Sequence, residues 1–289
     1  MLTLESTTRC DTNVKWRVRL DDGNAVEAVL YRGDSLCISS QVGCAVGCPF
    51  CASGAHGFGR QLRVEELIAQ IEAVCSTGSR VARVTVSGVG EPLHNHDAVM
   101  ACLEWCREAG LPMSLTTSGG PLRRLRDWLH APHRGLTLSI HSGTEPVRAR
   151  MVPRGPRLGP LFEVLGEVLP TLSGSRRRKI ALAYLIIEGI NDSDEEMDAF
   201  IRLAAPLGVK IHVYSHNAVE TSPLHGVSEG RYRELAGRVR EAGLNVRMSS
   251  AARRQPNGGC GTLVALRRPR APALASTPAS GAAGVEPTG

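Results

Sequence analysis

Alternation of apolar and polar positions begins close to the N-terminus. Trp16–Leu20 and Val26–Tyr31 each alternate, and Asp21-Asp22-Gly23-Asn24 lies between them. A period of two on either side of a turn-forming tetrapeptide predicts a β-hairpin. Further on, short β-branched or apolar runs appear at Leu36–Ser40, Val81–Ser87, Met113–Thr117, Leu136–Ile140, Ile180–Ile187, Val209–Tyr214 and Leu244–Met248. Between most of them the apolar residues recur at helical spacing. Leu67, Ile68, Ile71, Val74 and Cys75 fall on one such face, with Gly78 as its stop. Ser193-x-x-Glu196 is a capping box that opens a helix carrying Met197, Phe200, Ile201 and Leu203.

Strands alternating with helices at this spacing predict an α/β fold, a parallel sheet with helices outside it. Six such units can curl into a partial (βα)6 barrel, whose chemistry sits in loops after the strands' C-terminal ends. Residues 1–34 then form an N-terminal β-hairpin extension and 35–266 the barrel core. Residues 267–289, RRPRAPALASTPASGAAGVEPTG, are rich in Pro, Ala and Gly and read as a disordered tail. No apolar run approaches ~18 residues, so no membrane span is predicted. The first twenty residues lack the apolar core of a signal peptide, and the expected compartment is the cytoplasm.

Composition changes this picture in two respects. Net charge is +6, and of 34 cationic residues only Lys15, Lys179 and Lys210 are lysine. Arginine's planar fork suits phosphate, so a run such as Arg176-Arg177-Arg178-Lys179 could meet RNA or could be a solvated face. Nine cysteines are too few for a disulfide scaffold in a 289-residue chain, and a tight cluster in reducing cytosol more often binds metal.

That cluster is CISSQVGCAVGCPFC, Cys37–Cys51, whose last three cysteines are spaced C-x3-C-x2-C. Closed zinc sites need four ligands, commonly two CxxC pairs, and no second pair follows here. Three close thiolates suit a [4Fe–4S] cluster, which ordinarily takes four. Cys44, Cys48 and Cys51 would leave one iron open to a small molecule. A zinc site completed by a distant His or Cys is the alternative. Cys102 and Cys106, at i and i+4 on a helix, could pair on a metal but read better as core. Cys10 and Cys75 read as structural.

C-x3-C-x2-C resembles the signature of radical S-adenosylmethionine (SAM) enzymes, and Phe50 before the last cysteine suits it. Cys37-Ile-Ser-Ser-Gln-Val-Gly-Cys44, Gly90-Glu91-Pro92-Leu93-His94-Asn95, Leu138-Ser139-Ile140-His141 and Gly259-Cys260-Gly261 together resemble the RlmN/Cfr family. Its members are radical SAM methyltransferases of adenine carbons in ribosomal RNA. The likeness runs from about Trp16 to Ala265. It implies that Cys44, Cys48 and Cys51 hold the cluster. It also implies that Gly90, Glu91, Ser118, Ser139, Ile140, His141 and Asn217 line the SAM site.

The same resemblance makes Cys260 the methyl carrier, Cys37 the second catalytic thiol and Glu27 the proton acceptor. An electron-poor adenine carbon cannot attack a methyl group, whereas a thiolate can. Cys260 would take a methyl from one SAM, and a radical from a second would activate it for addition to the ring. Release would need a base and a thiol, leaving a Cys37–Cys260 disulfide for an external reductant. Two SAM are thus used per turnover, with an electron donor such as flavodoxin or ferredoxin.

The family's ribosomal RNA enzymes carry a helical accessory domain before the hairpin, and here about fifteen residues precede Trp16. The chain therefore reads as a catalytic core lacking that domain. His216 stands where an aromatic is expected before Asn217. The implied substrate is adenine in RNA (ribosomal or transfer), C2 ahead of C8. The same chemistry on a nucleotide-like or heteroaromatic small molecule, and a non-catalytic RNA- or SAM-binding homologue, are the alternatives.

Overall fold

A computed structural model of the chain describes residues 2–9, 12–254 and 261–266. The expected hairpin is strands β2 (Asn13–Arg19) and β3 (Ala25–Tyr31), but a further strand precedes it, β1 (Thr3–Arg9), antiparallel to β2. β1 escaped the sequence reading for a physical reason. All but one of its seven residues are exposed, so it carries no burial periodicity and is held by backbone pairing.

Then come β4 (Ser35–Ile38), β5 (Gln41–Gly43), β6 (Phe58–Gln61), α1 (Val64–Cys75), β7 (Arg83–Val86), α2 (His96–Glu108), β8 (Met113–Thr117) and α3 (Leu122–His130). The chain continues through β9 (Gly135–Ser139), α4 (Glu145–Met151), α5 (Leu158–Val168), α6 (Gly174–Arg177), β10 (Ile180–Ile186), α7 (Asp194–Ala204), β11 (Lys210–Ser215), α8 (Glu229–Glu241) and β12 (Val246–Met248). Among the described residues one sheet runs β1-β2-β3-β4-β7-β8-β9-β10-β11-β12, parallel from β4 onward. The expected α/β partial barrel is the architecture observed.

The two faces of this sheet differ. Leu36, Ile38, Val84, Val86, Leu136, Leu138, Leu182 and Ile211 point outward under the helices, each 0–1% exposed. Burying each such side chain contributes about 1.5–3 kcal/mol. The inward residues are small or polar instead: Ser35, Thr85, Ser114, Thr116, Thr137 and His212 line open space inside the barrel. Parallel strands are ordinarily apolar on both faces; here β10 (IALAYLI) keeps that pattern, and several of its neighbours are apolar only on the helix-covered face.

The Cys44–Cys51 loop leaves from a small antiparallel clasp, β5 against β6. Gly43 has φ +79, and a Cβ there would lie 2.0 Å from the Gly57 carbonyl oxygen, which also accepts from the Cys44 amide at 3.2 Å. Glycine at 43 is therefore a condition of the clasp.

A strap made of residues 249–254 and 261–266 crosses the open side of the barrel. The Ser249 amide donates to Val213, and the Arg253 guanidinium lies 5.7 Å from the Tyr214 ring centre and 5.8 Å from that of Tyr31. Gly261 accepts from the Ala52 amide at 2.9 Å, and Leu263 accepts from Ser53 Oγ at 2.8 Å. Leu266 pairs with Ala25 on β3. Among the described residues no helix is long and apolar enough to cross a membrane. The tail expected at 267–289 and the Cys260 loop lie outside the described residues, as does Cys10.

Candidate active site

The loops after the C-terminal ends of β5, β7, β8 and β9 surround one cavity of about 130 Å³. Cys44, Cys48, Cys51, Gly90, Glu91, Ser118, Ser139 and His141 all line it. Residues as far apart in sequence as Cys44 and Val152 are thus brought together. Ile140 and Asn217 do not line it. Ile140 is buried beside it, and Asn217 Nδ2 donates to the Arg253 carbonyl on the strap at 2.8 Å.

The three cysteines sit over Val46, Phe50, Met151, Val152 and Ile187. Burial above all pushes the Cys44 thiol up to about 12. Burial also raises Cys48 well above the ordinary range, with Cys51 and Cys44 as the next causes. Thiols that burial and mutual repulsion keep protonated need a bound cation before they ionise. Among the described residues no three His, Cys, Asp or Glu side chains approach closely enough to share one metal ion. Three cysteines at C-x3-C-x2-C spacing lining one cavity suit an iron–sulfur cluster.

Glu91 is the buried carboxylate of the cavity. Its Oε1 accepts from the Leu93 amide at 3.0 Å and from Thr117 Oγ1, and its Oε2 accepts from the Ser118 amide at 2.7 Å. These bonds aim the carboxylate and leave it capacity for a further donor. Gly90 has φ +113, and a Cβ there would meet Gln41 Cβ at 2.7 Å and Ser40 Oγ at 2.8 Å. The glycine is needed for close approach to the clasp. Ser118 Oγ is buried without a partner, a polar atom available to a ligand. At about 130 Å³ the cavity is smaller than the ~300–1,000 Å³ of small-molecule sites. A cofactor the size of SAM would therefore use the adjoining barrel interior as well.

His141 has φ +59, a left-handed conformation seldom adopted by non-glycine residues. Its Nδ1 accepts from the Leu185 amide at 3.0 Å, and its ring meets Phe50 edge-on at 5.3 Å. Burial chiefly, then Arg148, lowers its pKa to about 3. The ring is neutral, and with Nδ1 accepting, its proton is on Nε2.

Cys37 and Glu27 stand on neighbouring strands with their side chains on one face. The Cys37 sulfur is 3.2 Å from Ser87 Oγ, and Ser87 lines the cysteine cavity. Glu27 is 4% exposed, pairs with Lys15 at 3.0 Å and accepts from the Val264 amide at 3.0 Å. Cys260 lies outside the described residues, but Gly261, next to it in sequence, bonds to Ala52 beside Cys51.

Two contributors had no sequence signal. Arg148, 1% exposed, donates to the carbonyls of Ser139 (2.6 Å), Ile140 (2.8 Å), Ser118 (2.8 Å) and Pro156 (3.0 Å), tying the ends of β8 and β9 together. Gln41 Oε1 accepts from the Glu91 amide at 2.7 Å while its Nε2 donates to Gln61 across the clasp. Both act through tertiary position, which no local pattern announces. Cys102 and Cys106 are fully buried core residues of α2, whereas Cys75, read as structural, is exposed at the end of α1.

Residues 38–204 match the family model described as the radical SAM superfamily. A protein from Thiobacillus denitrificans named as a probable RNA methyltransferase is 34% identical over 275 residues, 93% of this chain and 74% of that one. One of the same name from Chromobacterium violaceum is 34% identical over 260 residues, 88% and 72% of the two chains. The crystal structure of a radical SAM methyltransferase from Sphaerobacter thermophilus superimposes with a TM-score of 0.80 at 28% identity, covering 91% of this chain and 81% of that one.

Proposed function

The chain belongs to the radical SAM superfamily, and on that footing we propose that it methylates an sp2 carbon of adenine in RNA, C2 ahead of C8, by the dual-cysteine route of the RlmN/Cfr family. One observation carries this reading. Cys37 touches Ser87 in the wall of the cysteine-lined cavity, Gly261 is bonded beside Cys51, and Glu27 holds Val264 three residues further along the same segment. A zinc protein or a plain SAM-binding module has no use for that arrangement. The names borne by the relatives support RNA as the substrate class.

Cys44, Cys48 and Cys51 would hold a [4Fe–4S] cluster, and Gly90, Glu91, Ser118, Ser139, Ile140, His141 and Asn217 would form the SAM site. When bound, the cluster supplies the electron that cleaves SAM and yields a hydrogen-abstracting radical. Everything else falls to the chain. Cys260 accepts and presents a methyl group. Glu27, oriented by Lys15 and the Val264 amide, takes the ring proton. Cys37, as its thiolate, attacks the Cys260 sulfur and breaks its bond to the bridging carbon, which takes up a proton to become the product's methyl group. The disulfide left behind is reduced by an external thiol in the cytoplasm. The route uses two SAM per turnover and an electron donor of the flavodoxin or ferredoxin type.

The test is anaerobic reconstitution followed by SAM, reductant and unmodified total RNA. Digestion to nucleosides and mass spectrometry should reveal 2-methyladenosine or 8-methyladenosine. Intact-mass analysis should place one methyl on Cys260 before RNA is added. A Cys260 that stays unmethylated in the presence of SAM overturns the reading. Methylated Cys260 with no methyladenosine transfers the same chemistry to a small heteroaromatic substrate.

A further inference from the structure

The N-terminal end of the barrel holds a second cavity, about 550 Å³, whose cationic rim the chemistry above does not use. Its cations come from separate strands. Arg83 opens β7, Arg134 precedes β9, Lys179 precedes β10, Lys210 opens β11, Arg247 lies on β12, and Arg253 enters from the strap. No aspartate or glutamate lines this cavity. Asp34, at the rim of an overlapping one, pairs with Arg83 at 3.2 Å. Arg134, Lys179, Lys210 and Arg247 have no carboxylate partner among the described residues. Cations gathered around one cavity repel one another, and an anion entering it is attracted by all of them.

Arginine predominance favours phosphate, which the guanidinium fork grips in two bonds. A second feature narrows the anion further. The rings of Tyr31, His212 and Tyr214 stand at the same mouth. Burial first, then Arg253, Lys210 and Arg247, push the His212 pKa down to about 4, so the ring is neutral. Its Nε2 is buried without a hydrogen-bond partner. The Arg253 guanidinium lies over the Tyr31 and Tyr214 rings, and aromatic and guanidinium planes beside phosphate-gripping cations suit a nucleobase with its own phosphates. Neither a simple anion nor an acidic peptide needs both. Finally, Thr116 lines this cavity and the cysteine-lined one alike, so the two share a wall through the barrel.

We propose that this N-terminal mouth is where the RNA substrate enters, its backbone phosphates held by Arg83, Lys210 and Arg247 and the target base passing inward along Thr85, Ser114 and Thr116 toward Cys37. The assignment rests on the reading that RNA is the substrate. It places SAM and RNA at opposite ends of the barrel.

The test uses the reconstituted full chain, without reductant, and fluorescence anisotropy of a labelled single-stranded RNA of mixed sequence, with AMP as a second probe. The paired substitution Arg83→Gln/Arg247→Gln should weaken RNA binding at least tenfold. The slope of log affinity against log salt should also fall by about 0.7 for each charge removed. Arg83→Lys/Arg247→Lys should recover most of the loss, and Arg107→Gln, on the exposed side of α2, should leave binding as it was. If AMP alone binds and needs the same arginines, the mouth is a phosphate site and its source is a free nucleotide. RNA affinity untouched by the paired Gln variant, or binding of neither probe, overturns the proposal. Methylation of wild-type Cys260 by SAM without RNA reports on the proposed reaction separately, so failure of one reading is not mistaken for failure of the other.

Discussion

The sulfur of Cys37, on β4, and the hydroxyl of Ser87, just past the end of the adjacent parallel strand β7, lie 3.2 Å apart, and Ser87 lines the cysteine-lined cavity. A thiol there is held against the wall of the reaction space. If Cys37 resolves the covalent intermediate, Cys37→Ala stalls after the first addition. Intact mass spectrometry after turnover should show RNA joined to the chain, and nuclease digestion should trim it to one nucleotide on Cys260. A Cys37→Ala protein that turns over repeatedly would remove Cys37 from the mechanism.

Arg148 satisfies three backbone carbonyls at the ends of β8 and β9 and a fourth, that of Pro156, in the loop before α5. Arg148→Leu leaves those buried acceptors without donors, at about 1–3 kcal/mol each where water cannot replace the bond. We expect a loss of about 3 kcal/mol or more in urea unfolding of the apoprotein. Arg148→Lys should recover only part of it, because an ammonium cannot fork. Equal stability in all three proteins would refute the bridging role.

Two buried histidines, His133 and His141, and the half-buried His212 set a pH dependence. His133 and His212 are lowered to about 4 and His141 to about 3, each chiefly by burial. A lowered histidine pKa means that the folded state favours the neutral ring. The associated stability is therefore fully present above the unfolded pKa of ~6.5 and is lost as pH falls toward the folded value. Urea midpoints should be level with respect to these groups above pH ~7 and decline from pH ~6.5 toward ~4. His133, 1% exposed and outside the cavity lining, accounts for roughly 3 kcal/mol of that decline on a shift of this size. His133→Phe should make the acid limb shallower, and an unchanged limb would count against this assignment.

Gly43→Ala would place a methyl 2.0 Å from the Gly57 oxygen at a positive φ. The clasp must open to accept it, at roughly 1–3 kcal/mol. Cys44 then loses the hydrogen bond that anchors its amide. Reconstituted Gly43→Ala should bind clearly less iron per chain and show weaker visible absorbance. Gly33→Ala, where a Cβ meets nothing within 4 Å, should keep its iron.

Much of the sheet was legible because its strands alternate more cleanly than parallel strands usually do. Met113–Thr117 was placed to the residue, and the other parallel strands to within two. The inward positions are polar because they face a cavity, and that same polarity made the outward apolar residues stand out. The cluster motif was legible because its spacing is local. The cationic mouth was not, because Arg83, Arg134, Lys179, Lys210 and Arg247 are far apart in sequence and meet only when the strands align. The conspicuous Arg176–Lys179 run divides its work. Arg178 and Lys179 line the cavity, whereas Arg176 bonds to the carbonyls of His130 and Ala131.

The strap has a consequence for how the protein is made. Its bonds join Ser53 to Leu263 across 210 positions and Glu27 to Val264 across 237. The residues that line the cysteine cavity have nearly all left the ribosome by His141, and the last of them is Val152. Contacts of such long range close late, after the local βα units have formed. A nascent chain thus holds Cys44, Cys48 and Cys51 in place before Leu263 and Val264 can reach Ser53 and Glu27.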